Sequence, residues 1–188
     1  SIAGNIDFTN NGDGSNWGLA NLLDTADAII DTLVLAEDGT PGINPQGIDS
    51  TYECCGDSII NDISGKIAVI YRNTCAFGTK ALNAQDAGAV GVVIINREPG
   101  LVNMDGTAGI GTLVNIPVTF IDAASGAAIR AAIDNGDDVV AFIGNKTSFY
   151  GDDIGLSDGD VLRSEFASTP RHVAQSDADF SVDMGARC

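Results

Sequence analysis

The stretch GKIAVIYRNTCAFGTKALNAQDAGAVGVVIIN, residues 65–96, decides the fold. Ile67, Ala68, Val69, Ile70 and Tyr71 form an unbroken apolar run of strand length. Gly91, Val92, Val93, Ile94, Ile95 and Asn96 form a second. Runs that are apolar at every position suit strands buried on both faces. Between them, residues 79–87 suit one short helix. Phe77, Ala81, Ala84 and Gly88 recur at three- to four-residue spacing and give that helix a narrow face of mostly small side chains. Gly88 is placed to end it, because glycine accepts the left-handed conformation common just past a helix terminus. A strand–helix–strand crossover of this length predicts parallel pairing with right-handed topology.

Working outward, residues 28–36 carry Ile29, Ile30, Leu33, Val34 and Leu35, which read as a strand pair or as one strand extended by a turn. Residues 37–47 are full of turn formers. A long Gly-rich loop, residues 97–115, follows the second apolar run, and loops of that length in compact domains are often functional. Residues 116–121 (IPVTFI) read as a strand, followed by a helix to Ile133 with Asp122 or Ser125 as its N-cap, then Gly136 and a strand over 139–143. Residues 179–185 alternate polar and apolar like a strand starting a new element.

The 188 residues bound the chain to one domain with embellishments, long enough to bury a core. Hydrophobic residues make up 44% and glycines number 23, which suits a turn-rich β or α/β fold. The net charge of −17 argues against nucleic acid and against anionic membrane surfaces, because phosphates need cations. No apolar segment approaches membrane-spanning length, and the first residues lack the basic start and apolar run of a signal peptide. The four cysteines, Cys54, Cys55, Cys75 and Cys188, point to disulfides and an oxidising, extracellular setting. Three pairings are open, with the vicinal one disfavoured by backbone strain. A zinc site lacks paired C-x-x-C knuckles.

The ordered motifs of the central stretch resemble those of the protease-associated (PA) domain family. They are Gly65-Lys66-Ile67-Ala68, Arg72, Cys75, Phe77, Lys80, Asn83-Ala84, Ala87-Gly88-Ala89 and the 92–95 strand. The resemblance covers roughly residues 48–144 and, more loosely, begins near residue 26. It implies a swivelling β/β/α fold, a small mixed β-sheet or barrel with two packed helices. It divides the chain into an N-terminal extension (1–25), the PA domain (26–144) and an acidic C-terminal extension (145–188), the last a linker to or the start of a following domain. It also implies a disulfide between Cys55 and Cys75, worth ~3 kcal/mol for a closed loop of this size. Cys54 and Cys188 are then left to pair. The tail resembles segments that follow such units in large secreted proteins of Bacteroidota-type bacteria.

The resemblance implies no catalysis, and the residues supply none. The single histidine, His172, has no nucleophile elbow to serve, since Ala124-Ser125-Gly126 lacks the G-x-S-x-G frame. There is no H-E-x-x-H helix, Gly109-Ile110-Gly111 lacks the third glycine of a dinucleotide turn, and Asp137-Asp138 reads as a solvated loop. The expectation is non-covalent recognition of a protein or peptide partner, or of neighbouring domains of the same chain, within a larger extracellular or cell-surface protein. The alternatives are a structural module of an adhesin or filament and an accessory domain of a secreted protease. Candidate contact residues are Arg72 and Phe77 on the Cys-containing turn, and Met104, Asp105 and Thr107 on the 97–115 loop. Arg72 and Phe77 equally suit simple packing and capping of their turn.

Calcium is the one cofactor with sequence support, because it takes hard oxygens from flexible Gly-rich loops. Asp152, Asp153, Asp158 and Asp160 form one such loop, and Asn11, Asp13 and Asn16 another. Neither matches an EF-hand. Asn145-Lys146-Thr147 is a glycosylation sequon. Four Asp-Ser/Thr triplets resemble Bacteroidota O-glycosylation acceptors and nominate Thr25, Thr32, Ser50 and Ser58, where composition alone predicts roughly one such triplet.

Overall fold

The computed structural model describes residues 4–18, 28–39, 43, 50–56, 58–145 and 178–184. In chain order the elements are β1 (Gly4–Asn5), β2 (Phe8–Asn10), β3 (Ile29–Leu35), β4 (Ile67–Tyr71), α1 (Phe77–Asp86), β5 (Gly91–Ile95), β6 (Val118–Ile121), α2 (Ala123–Asp134), β7 (Val139–Asn145) and β8 (Ala178–Met184). The strands form one mixed sheet in the order β1-β8-β7-β3-β4-β5-β6-β2. With its two helices it is the α/β PA-type architecture that the sequence implies.

The centre is parallel. β4 pairs with β5 from Ile67↔Gly91 to Tyr71↔Ile95, and β5 pairs with β6 in the same sense. β3 is a single strand that works in two ladders. Ile29 to Thr32 pair antiparallel with β7, and Leu33 to Leu35 pair parallel with β4. It thereby joins the antiparallel and parallel halves of the sheet.

Both faces of the central strands are buried, as their uniform apolarity predicts. Ile67, Val69, Val93, Ile95 and Ile121 point to one side, where Ile129 and Ala132 of α2 meet them. Ala68, Ile70, Val92, Ile94 and Phe120 point to the other, against Ala81 and Ala84 of α1. Successive residues of a strand face opposite ways, so each strand feeds both cores.

α1 starts at Phe77, two residues before the expected position. The earlier start lets Phe77 meet Phe120 edge-on, with ring centroids 5.7 Å apart. It ends as predicted, with Gly88 in the left-handed region at φ +92°. Of the two N-caps considered for α2, Asp122 is the cap, and its Oδ1 accepts from Ser125 N at 2.8 Å.

The outer strands differ from the sequence division. β2 lies within the expected N-terminal extension, yet it pairs with β6 from Phe8↔Ile121 to Asn10↔Thr119. The strand expected at 179–185 is β8, which pairs with β7 along its whole length rather than standing apart from the sheet. β1 pairs with β8 on the far edge. Only Ile6 and Asp7 separate β1 from β2, so Asn5 and Phe8 are at most about 11 Å apart. One short segment therefore covers both edges, and the sheet must curl until they approach. None of the described helices is long and apolar enough to cross a membrane.

Candidate functional site

The 72–77 turn and the 97–115 loop lie side by side at the C-terminal ends of β4 and β5. The turn is held in an unusual conformation, with Asn73 at φ +105° and Thr74 at +65°. Its base is fixed by Arg72 N donating to Ile95 O, and by Arg97 Nε donating to Arg72 O at 2.9 Å. Arg72 Nη1 donates to Asn96 Oδ1 at 3.1 Å, while Asn96 Nδ2 reaches Gly100 O. The first residues of the loop are thus tied to the turn.

The disulfide bonds the turn to the 50–56 segment. Cys55 and Cys75 are joined, with Cα atoms 5.8 Å apart, as the family resemblance implied. The expected partnership of Cys54 with Cys188 falls on a residue outside the described ones; among the described residues Cys54 is a buried free thiol. Burial pushes the Cys54 thiol up to about 12. Its backbone has φ +56°, and its carbonyl accepts from Asn83 Nδ2 of α1. The side chain is turned into the apolar core, away from the bridge-forming position held by its neighbour.

Beneath the bridge lies a charge cluster that sequence reading did not assign. Glu53 and Lys80 are both 0% exposed. Arg97 Nη2 meets Glu53 Oε1 at 2.7 Å, and its guanidinium lies 4.8 Å from the Tyr71 ring centroid. Lys80 Nζ donates to Glu53 O and stands 3.2 Å from Cys55 Sγ. Burial lowers the Lys80 ammonium to about 8, although the nearby Glu53 charge works the other way. Asp38 Oδ2 accepts from Cys55 N, which anchors the segment from the other side. One signal could have placed Lys80 inside: it adjoins the Phe77-Ala81-Ala84 face that packs on the sheet.

The candidate contact residues divide into buried and exposed sets. Phe77 packs on Phe120, which is the packing alternative for that residue. Met104 requires correction, because it is 0% exposed and belongs to the core. Trp17 Nε1 donates to Met104 O at 2.8 Å and draws the loop down onto the sheet. Asp105 is exposed at the loop tip and Thr107 is half-buried. The Asp105 carboxylate accepts from Asn16 Nδ2, Thr107 N and Ser15 Oγ, and these bonds hold its pKa below the ordinary value. Leu113, 55% exposed, adds an apolar element on the same loop.

Asn16 is thereby brought to Asp105. Asp13 instead caps the short 3-10 turn Asn11–Asp13, its Oδ2 accepting from Asn10 N, and Asn11 is buried. Asp152, Asp153, Asp158 and Asp160 lie outside the described residues, as do His172 and Thr25. Among the described residues no group of three or more His, Cys, Asp or Glu is placed to hold a metal ion. Of the other modification candidates, Thr32 sits inside β3 paired with Val140, Ser50 is half-buried and Ser58 is exposed.

A mixed sheet with one helix on each face and a cross-linked turn beside a long ordered loop defines a compact, disulfide-bearing α/β module. The chain belongs to the PA domain family, whose model matches residues 29–129. It is 40% identical over 87 residues to an aminopeptidase of Pseudomonas aeruginosa, covering 44% of this chain and 16% of that protein. It is 33% identical over 91 residues to the human ER degradation-enhancing alpha-mannosidase-like protein 3, covering 45% of this chain and 10% of the relative. A solved zinc aminopeptidase from Bacillus subtilis superposes with a TM-score of 0.43 at 19% identity, over 74% of this chain and 31% of that one. The chain thus spans a small part of the length of the curated relatives it matches.

Proposed function

We propose that this chain is a non-catalytic recognition module of a larger extracellular protein, set beside a catalytic neighbour that it serves. The observation that carries this reading is the company the matched segment keeps. It recurs in proteins named as aminopeptidases and in others named as mannosidase-like. Cleaving a peptide and cleaving a mannoside need different groups, so a segment common to both contributes something other than the bond-breaking residues. The disulfide supports an oxidising compartment. The contact face is the exposed part of the 97–115 loop, with Asp105, Thr107 and Leu113, beside the 72–77 turn. Its ligand is a peptide or a neighbouring domain.

The test titrates the chain with an array of unstructured peptides and, separately, incubates it with aminoacyl-p-nitroanilides and p-nitrophenyl mannosides. The expected result is no turnover, with peptide-induced amide shifts confined to residues 72–77 and 97–115. Turnover by the chain itself overturns the reading, and shifts centred elsewhere overturn the assignment of the face.

A further inference from the structure

The two sulfurs of the Cys55–Cys75 bridge have unlike surroundings. Cys55 Sγ faces inward, with Lys80 Nζ at 3.2 Å and the carbonyl oxygens of Glu53 and Asn73 at 3.5 and 3.8 Å. Lys80 is anchored there, because it is fully buried on α1 and also donates to Glu53 O. Cys55 and Cys75 are both half-buried, and Cys75 lies on the turn between the exposed Thr74 and Ala76.

We infer that the bridge is a thiol-modification site with a fixed polarity: an external thiolate attacks Cys75, and Cys55 leaves as a thiolate held by the Lys80 ammonium. In this step the incoming sulfur bonds to Cys75 Sγ as the Cys55–Cys75 bond breaks. The electron pair of that bond goes to Cys55 Sγ. The proton of the incoming thiol has already passed to water, so neither an oxidant nor a second reductant is consumed. The product is a mixed disulfide on Cys75 and a thiolate on Cys55.

The contact of Lys80 Nζ with Cys55 Sγ at 3.2 Å fixes the direction: exchange quickens as the pKa of the leaving thiol falls, and an adjacent cation lowers it. Lys80, lowered by burial to about 8, is mostly charged at neutral pH, in the field of Glu53, Arg97 and Asp38. The internal rival Cys54, pushed up to about 12, supplies almost no thiolate there. Opening the bridge leaves the 50–56 segment held by Asp38 and Asn83, and puts the adduct on the turn at the contact face.

The test treats the intact chain with glutathione near neutral pH, quenches in acid at early times and maps the adducts. Cleavage after Arg72 and Lys80 isolates Cys75 in its own peptide, away from Cys54 and Cys55. The glutathione adduct on the 73–80 peptide is expected to exceed that on Cys55 by about tenfold. An adduct on Cys55, or an even mixture, overturns the inference, and this readout needs no variant. Lys80→Gln is expected to slow opening about tenfold, and Lys80→Arg to restore most of the rate. Unfolding midpoints measured alongside separate this effect from global opening. An unchanged rate in Lys80→Gln at matched stability overturns the leaving-group role.

Discussion

Arg97 holds the carboxylate of Glu53 at 2.7 Å in a site where Glu53 has no exposure to solvent. Removing one partner of such a pair leaves the other charge buried and unmatched. Glu53→Gln is therefore expected to lower unfolding stability by about 3 kcal/mol, measured by urea denaturation. A loss under about 0.5 kcal/mol, the scale of an exposed pair, would show that Arg97 is satisfied without Glu53.

Gly78 tests the seam between helix and loop. A Cβ at this position would lie 1.7 Å from the carbonyl oxygen of Gly106, which is backbone and cannot rotate aside. Gly78→Ala must push α1 and the loop apart. The expected cost is about 1–3 kcal/mol, with amide shift changes concentrated in residues 104–111. A variant as stable as the parent, with those amides unmoved, would show that the seam is loose.

Alkaline titration separates Lys80 from Cys54. Between about 8 and its ordinary value of 10.5, Lys80 holds a proton in the unfolded chain and not in the folded one. Its contribution to stability therefore rises with pH across that window and is lost as pH falls through about 8. Cys54 runs the opposite way. Its contribution is complete below 9 and is lost as pH rises toward about 12. From pH 7 to 10, the parent is expected to gain stability relative to Lys80→Met. From pH 9 upward, it loses stability relative to Cys54→Ala. Urea midpoints at stepped pH decide both, and parallel curves for parent and variant would remove the residue concerned from the account.

Deleting residues 4–10 uncovers β6 and β8 together, because β2 and β1 are their respective edge partners. Unpaired edges invite pairing between chains. The truncated protein is expected to self-associate with rising concentration in sedimentation velocity while the parent does not. A monomeric, equally stable truncation would show that the segment is dispensable.

How much of this was legible depends on the range of the interactions. β4, α1 and β5 could be read because their signals are local: unbroken apolar runs, a small-residue face, and Gly88 where φ must be positive. Asp122 as a cap is equally local. β1 and β2, with two and three residues, are too short to show a period, and their partners stand more than a hundred positions away. Met104 sits in a Gly-rich loop that reads as exposed, and the bonds that hold that loop down come from far back in the chain, Trp17 to Met104 O across 87 positions among them. Lys80 ranks among residues normally at the surface, and its counter-charges come from distant segments. Features whose partners lie far along the chain, the edge pairings of β1 and β2 and the burial of Met104 and Lys80, are the ones that local pattern could not carry.

The antiparallel pairing of β1 with β8, Gly4 opposite Val182 and Asn5 opposite Ser181, also sets a mechanical property. In this register the chain preceding β1 and the chain following β8 leave the pair at the same end. Tension between them therefore opens the ladder bonds one after another, like a zipper, instead of loading them together in shear. Within a longer chain under pull, this edge yields first at low force, while the parallel centre of β4, β5 and β6 stays folded.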